Sequence, residues 1–166
     1  TIAECQLSIV TGLPSSGKSE FIDQLMMNFA QKESWKFAVC SFENPPSMHI
    51  AKMCERFTGR PFYKGPSERM SESDLEEAID FINDHFVFLE SQDGGMSTID
   101  SIIERTKQAV MRLGIRGLII DPYNFIEHAS HESEHASINQ MFTRITAFEK
   151  SHRIHVWVVA HPQKIH

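Results

Sequence analysis

A glycine-bounded loop, set between an apolar run and a helical pattern, constrains this chain more than any other feature. Residues 12–19 read Gly-Leu-Pro-Ser-Ser-Gly-Lys-Ser and match the pattern G-x-x-x-x-G-K-[ST] in full. The segment before them, Cys5 to Gly12, is a short apolar run typical of a buried strand. Apolar residues then recur at helical spacing: Phe21, Ile22, Leu25, Met26 and Phe29. This strand–loop–helix frame predicts a phosphate-binding loop, and the alternative is a glycine-rich turn that matches by chance.

The chemistry of such a loop follows from its residue types. Glycines let the backbone curl so that successive N–H groups point at phosphate oxygens, and the helix that follows adds the positive end of its dipole. We expect Lys18 to reach the β- and γ-phosphates and the Ser19 hydroxyl to bind Mg²⁺. The predicted nucleotide-binding residues are Gly12, Pro14, Ser15, Ser16, Gly17, Lys18 and Ser19.

Three further polar residues lie at the ends of apolar runs. Each is a candidate site residue that could also have an ordinary structural role. Asp121 ends the run Gly-Leu-Ile-Ile-Asp and is the candidate second metal ligand, although strand ends also carry turn or cap aspartates. Glu43 follows a second run and fits a general base that activates water, or a solvated turn residue before two prolines. His161 ends the last run, where it could contact the γ-phosphate or be an ordinary polar terminus.

Short apolar runs alternate with helical patterns along the whole chain. The predicted strands are residues 5–12, 36–42, 86–90, 116–121 and 154–161. Residues 57–69, rich in Gly, Pro and basic side chains, are predicted to form a loop, while Ser97 and Ser137 are predicted to cap helices. The order predicts an α/β fold, a mostly parallel five-stranded sheet with helices on both faces.

Composition narrows the classes of protein that fit. The chain has 166 residues, 41% of them hydrophobic and 23% charged, which suits one globular domain over residues 1–166. Its net charge of −6 argues against binding nucleic acid by bulk electrostatics, and no apolar run is long enough for a membrane span. Three scattered cysteines fit neither a disulfide framework nor a zinc site. Since the chain stops soon after the fifth strand, we expect a truncated domain.

Two side-chain clusters could bind a ligand, but a structural or surface role is favoured for each. His128, His131 and His135 would share one face of a helix and could bind a metal ion, but a solvated loop is favoured. A basic stretch from Lys52 to Arg69 contains interleaved aromatic residues that could stack on bases, although a packed excursion or a subunit contact is favoured.

The motifs together resemble a known family. The segments GLPSSGKSEFID, FAVCSFEN, GIRGLIIDPYN and HVWVVAHPQ are similar to the helicase domain of Twinkle-type and phage primase-helicases, within the DnaB-like branch of RecA-fold ATPases. The resemblance extends from Ile9 to His166 and implies a RecA-like P-loop NTPase fold.

The resemblance implies an ATP-dependent DNA helicase. It implies ATP (or another NTP) and Mg²⁺ as cofactors, Lys18, Glu43 and His161 as catalytic residues, and Ser19 and Asp121 as metal ligands. It also implies a ring, expected to be a hexamer, that moves on single-stranded DNA. The expected location is the cytoplasm of a bacterial or phage-infected cell, or an organelle if the source is eukaryotic.

Several elements of the family are not found in these 166 residues. These residues hold no primase or zinc module, no DNA-contacting loops beyond the fifth strand and no arginine finger, so we expect nucleotide binding with feeble hydrolysis and no unwinding. The alternatives are a RecA-type recombinase or clock-type ATPase, a small-molecule kinase, and a scaffold that binds nucleotide without turnover.

Overall fold

The computed structural model describes residues 5–13, 16–42, 45–89, 98–122 and 134–160, with side chains from residue 136 onward in the last range. Within these ranges the strands are β1 (Leu7–Thr11), β2 (Phe37–Ser41), β3 (Phe86–Phe88), β4 (Gly117–Asp121) and β5 (His155–Ala160). The helices are α1 (Lys18–Glu33), α2 (Pro46–Thr58), α3 (Glu72–His85), α4 (Ile99–Leu113) and α5 (Glu134–His152).

The strands form one sheet in the order β1-β5-β4-β2-β3, and every described pairing is parallel. The predicted parallel five-stranded α/β sheet is therefore confirmed. The chain leaves β1, passes over β5 and β4, and enters β2 on their far side. Such a reversal of strand order opens a crevice at the carboxyl edge of a sheet, which is where ligands bind in open α/β folds.

Apolar side chains cover both faces of the sheet. Phe37, Val39 and Ile119 point to the face covered by α1, α2 and α3. The alternating residues, such as Ala38 and Leu118, point to the face covered by α4 and α5. Strands β4 and β5 are buried on both faces, and nearly all of their residues are apolar. The sequence analysis predicted buried strands from these continuous apolar runs.

The amino edge of the sheet is filled by aromatic rings. Trp35, Phe37 and Trp157 contact one another with ring centroids 6.0–6.3 Å apart. Gly117 begins β4 beside them, and a Cβ atom there would lie 2.5 Å from Phe37 Cε1 and 3.0 Å from Trp157 Cζ3. Glycine is therefore required at this position by close approach, since any side chain would overlap the rings.

Two predicted helix caps are wrong, the first by a single residue and the second by several. The cap of α4 is Thr98, whose hydroxyl accepts a hydrogen bond from the Ser101 N–H at 3.2 Å, and the predicted cap Ser97 lies outside the described residues. Ser137 is a buried residue inside α5, which begins at Glu134. In both cases several neighbouring polar residues could cap the helix, and the apolar pattern does not choose between them.

The predicted loop also needs correction, and two apolar helix residues are exposed. Phe57 and Thr58 belong to α2, which ends at Thr58 and is capped by Gly59 in the left-handed conformation, φ 69°. Phe21 is 60% exposed and Leu113 is 46% exposed, so these apolar side chains lie at the edges of the faces that their helices bury. None of the helices in the described ranges is both long and apolar enough to cross a membrane.

Candidate nucleotide-binding site

The predicted phosphate-binding loop lies between β1 and α1. Gly17, just before α1, has the left-handed conformation, φ 80° and ψ 21°, and its carbonyl accepts a hydrogen bond from the Phe21 N–H at 2.9 Å. The Ser16 N–H donates to the Leu13 carbonyl at 3.2 Å, which tightens the loop before the helix. An L-residue is strained at this φ, so Gly17 is the residue that lets the chain turn directly into the helix. Pro14 and Ser15 lie outside the described residues.

Lys18 turns its ammonium back into this loop. Its Nζ donates hydrogen bonds to the carbonyl oxygens of Gly12 and Leu13, both at 2.8 Å, and the residue is 8% exposed. No ion pair joins Lys18 to a carboxylate in the part of the chain that the structure describes. A buried ammonium held only by neutral carbonyls is a strong binding position for an anion, because it has lost much of its hydration without gaining a counter-charge.

The backbone around the ammonium leaves little room for larger residues. A Cβ atom on Gly12 would lie 3.1 Å from Ser16 Oγ and 3.7 Å from Lys18 Cδ. Ser19 follows Lys18 in the first turn of α1 and is half-buried. The curled loop, the buried ammonium and the adjacent hydroxyl fit a phosphate group with its metal ion, so the residues present suit ATP and Mg²⁺.

Asp121 ends β4 at the same edge of the sheet and is 8% exposed. Strand β5 lies between β4 and β1, and it pairs Thr11 with Ala160 on one side and Ile120 with Val158 on the other. Two strand spacings place the ends of β1 and β4 about 10 Å apart. That separation leaves room for phosphate groups and a hydrated metal ion between the loop and the carboxylate.

The two remaining predicted catalytic residues, Glu43 and His161, lie outside the described residues. Their chain neighbours are placed: Ser41 ends β2 in register with Asp121, and the Phe42 N–H donates to the Asp121 carbonyl at 2.9 Å. Ala160 ends β5. Four adjacent strands, β1, β5, β4 and β2, therefore end at or next to the predicted site residues in the sequence. These are the phosphate-binding loop, His161, Asp121 and Glu43, respectively.

The predicted histidine cluster also falls outside the described residues. His128 and His131 are not described, and nothing is described of the His135 side chain. Elsewhere in the described ranges, no group of three His, Cys, Asp or Glu side chains is arranged to hold a metal ion. Magnesium needs no such group, because it binds through one or two protein oxygens together with phosphates and water.

The basic stretch from Lys52 to Arg69 packs against the protein itself. Lys52 and Arg56 both pair with Glu20 of α1. Arg60 pairs with Asp74 at 3.3 Å, and Arg69 lies 5.6 Å from the centre of the Phe62 ring. These contacts favour the packed excursion over a base-stacking surface.

All three cysteines are free thiols. Burial raises the pKa of the Cys40 thiol to about 12, and the charge of Arg105 opposes this only in part. A thiol with so high a pKa stays protonated and is a poor nucleophile near neutral pH. Cys40 is therefore a packing residue of the sheet.

One buried polar pair was not predicted from the sequence. His49 Nε2 lies 2.8 Å from Asp23 Oδ1, between α2 and α1. The two residues are 26 positions apart, and no motif links them. Asp23 does interrupt an apolar helix pattern, which was the only available signal.

Comparison with known families places the chain in one of them. Residues 1–165 match the family described as "AAA domain". The chain belongs to this AAA domain family. Because the match covers nearly every residue, it includes the loop, Lys18 and Asp121.

One curated relative of this AAA domain is the "Twinkle homolog protein, chloroplastic/mitochondrial" of Arabidopsis thaliana. The two are 40% identical over 166 residues, which cover 96% of this chain and 23% of the relative. The chain thus spans about a quarter of the length of the curated relative that it matches. The resemblance recognised from the motifs is confirmed.

Two solved structures share the fold of this AAA domain at 18% sequence identity. One, described as an ATPase domain, has a TM-score of 0.78, covering 96% of this chain and 57% of that chain. A structure titled "The Structure Of A DnaB-Like Replicative Helicase And Its Interactions With Primase" has a TM-score of 0.81, covering 98% and 41%. The predicted RecA-like fold is confirmed.

Proposed function

We propose that this chain is the ATP-binding and ATP-hydrolysing core of a replicative DNA helicase of the primase-helicase type. The observation that carries the proposal is the buried Lys18 ammonium, held inside a curled loop by two neutral carbonyls at 2.8 Å. The 40% identity to a Twinkle homolog supports a helicase over the other proteins that use such loops.

The residues have distinct proposed roles. Lys18 binds the phosphates, and Ser19 and Asp121 hold Mg²⁺, which neutralises phosphate charge when it is bound. Gly12, Pro14, Ser15, Ser16 and Gly17 provide the backbone N–H groups and the shape of the loop. The arrangement orients a phosphate chain along the rim from β1 to β4.

Two proposed roles belong to residues that the structure does not describe. Glu43 follows β2 and is the proposed general base that takes a proton from the attacking water. His161 follows β5 and is the proposed contact to the γ-phosphate that couples hydrolysis to movement on DNA. Support for both comes from the motif resemblance and from the register of the strands that precede them.

The partners and location are proposed on the same grounds. Single-stranded DNA is the proposed track, and the proposed assembly is a ring of identical subunits, most simply a hexamer. The name of the plant relative favours an organelle over the cytoplasm.

The primary test compares two lysines of the same helix. Lys18→Ala should weaken the binding of a fluorescent ATP analogue with Mg²⁺ by about 10- to 100-fold, because a charged hydrogen bond to phosphate is lost. Lys32→Ala removes an exposed lysine from the last turn of α1 and should leave affinity unchanged. Equal affinities for Lys18→Ala and the unaltered protein would refute the placement of the phosphates.

A second test separates a helicase from its alternatives. The full-length protein is expected to unwind a forked duplex in an ATP-dependent reaction, whereas residues 1–166 alone are expected to bind nucleotide with feeble hydrolysis. In the full-length protein, Glu43→Gln is expected to abolish hydrolysis while keeping nucleotide affinity. Strand exchange without unwinding would show a recombinase instead. Full activity of Glu43→Gln would favour a scaffold that binds nucleotide without turnover.

A further inference from the structure

Asp23 and His49 form a buried polar contact between α1 and α2. His49 Nε2 lies 2.8 Å from Asp23 Oδ1, and His49 and Asp23 are 8% and 5% exposed, respectively. Asp23 lies one helical turn after Ser19 on α1. His49 lies in the first turn of α2, where its backbone N–H donates to the Pro45 carbonyl at 3.2 Å. The pair therefore joins the second turn of α1 to the first turn of α2.

The His49 ring is held on a second side. Phe88, the last residue of β3, contacts it edge-on, with ring centroids 5.5 Å apart at 70°. Nδ1 of His49 is buried and has no hydrogen-bond partner among the described residues. A ring proton on Nε2 fits this geometry, because Nε2–H then donates to Asp23 Oδ1.

The surroundings would accept an apolar pair. The core on this face of the sheet is largely apolar, with Met26, Met27 and Met53 fully buried. Replacing a buried polar pair by apolar residues of similar volume is often neutral or stabilising, since no group loses hydration. The Asp23–His49 hydrogen bond is directional, so it fixes the rotation and position of the start of α2 against α1.

Other polar contacts between the same helices lie at the surface. Lys52 and Arg56 pair with Glu20, whose side chain is 52% exposed. Exposed ion pairs hold geometry weakly, because water competes for both charges. Arg56, whose side chain is 18% exposed, also donates to Gln24 Oε1 of α1 at 3.2 Å. Among these described polar contacts between α1 and α2, the Asp23–His49 hydrogen bond is the one in which both partners are buried.

We propose that Asp23 and His49 are a positioning pair that sets the start of α2 against the phosphate-binding helix α1 for hydrolysis. This rests on the proposed function. Pro45 caps α2 and Pro46 is its first residue, so their fixed φ angles restrict the backbone where the helix begins, and Glu43 comes two positions before Pro45 in the sequence. Because so few residues separate α2 from the proposed base, we expect a change in the position of α2 to affect hydrolysis through Glu43.

The test separates positioning from stability with four variants. His49→Leu and the double variant Asp23→Leu/His49→Leu remove the hydrogen bond, whereas His49→Gln keeps an N–H that can donate to Asp23. Lys52→Met is the matched control, since it removes an exposed ion pair of the same two helices. The measurements are the single-turnover rate of ATP hydrolysis at saturating nucleotide, the Kd for a fluorescent ATP analogue, and Tm.

A positioning role predicts a split between rate and binding. His49→Leu and the double variant should lose about tenfold or more in rate, while Kd changes by less than about threefold. The double variant should keep the Tm of the unaltered protein or exceed it. His49→Gln should recover most of the rate, and Lys52→Met should match the unaltered protein.

Several results would overturn the proposal. A double variant that hydrolyses ATP at the normal rate would do so, as would parallel losses of rate, affinity and Tm. If the double variant does not fold, the contrast between His49→Leu and His49→Gln decides, and equal rates for these two reject the pair. An unaltered protein that neither binds nor hydrolyses ATP would instead reject the proposed function, and this inference with it.

Discussion

The left-handed residue of the loop allows binding to be separated from stability. Gly17 has φ 80°, and a Cβ atom at this position would meet nothing within 4 Å. Gly17→Ala therefore introduces no clash, and its cost is the left-handed backbone alone, about 1–2 kcal/mol for an L-residue. For a domain of this size we expect Tm to fall by about 2–4 °C per kcal/mol.

Gly114 provides a matched control. It caps the carboxyl end of α4 with φ 69°, and a Cβ atom there also meets nothing within 4 Å. It precedes β4, at the edge of the sheet opposite the loop. Gly114→Ala should therefore cost about the same free energy of unfolding as Gly17→Ala.

The two variants should differ in nucleotide binding. Alanine at position 17 favours right-handed φ values, and the resulting turn of the loop moves the N–H groups that precede α1 away from the phosphates. Gly17→Ala should lose at least about tenfold in affinity, or about 1.4 kcal/mol, while Gly114→Ala stays within about twofold. Thermal unfolding and titration with a fluorescent ATP analogue and Mg²⁺ measure both quantities. If Gly17→Ala loses stability but binds as tightly as Gly114→Ala, the conformation of the loop does not serve phosphate binding.

Two further predictions concern the core. Gly117→Ala should lower the free energy of unfolding by about 1–3 kcal/mol in denaturant titrations, because its Cβ would overlap the Phe37 ring. Adding Phe37→Leu should recover part of the loss. An unchanged denaturation midpoint for Gly117→Ala would contradict the close approach. Burial raises the pKa of the Glu149 carboxyl, with the charge of Lys150 opposing in part, so the neutral form is favoured in the fold and stability falls as pH rises through the folded-state pKa. Glu149→Gln should therefore unfold at a higher temperature than the unaltered protein at pH 8, with the difference shrinking towards pH 4, and a constant difference across that range would rule out this cause.

The type of fold was predictable from the sequence, but the order of its strands was not. Strands buried on both faces must be apolar throughout, so β4 and β5 stand out in the sequence as uninterrupted runs. Nothing local in those runs says that both lie between β1 and β2. Strand order depends on which helix covers which face, and that depends on packing between distant segments.

Some polar residues at and near the candidate site were predictable from the sequence, and others were not. Lys18, Ser19 and Asp121 were predicted because a short motif and a strand end mark them. Asp23 and His49 were missed, because a hydrogen bond between two helices depends on how those helices pack and leaves no spacing in the sequence. The exposed position of Phe21 has the same origin: helical periodicity gives the direction of a side chain, but the extent of the neighbouring elements decides whether it is covered.

The central claim is that an ammonium and a hydroxyl from the start of α1 and a carboxylate from the end of β4 meet around one triphosphate. A crystal structure of the protein with Mg²⁺ and a non-hydrolysable ATP analogue tests it most directly. We predict Lys18 Nζ within about 3 Å of phosphate oxygens, Ser19 Oγ about 2.1 Å from Mg²⁺, and Asp121 bound to the metal ion directly or through one of its waters. A nucleotide bound elsewhere, or bound here without contact to these three side chains, would contradict the claim.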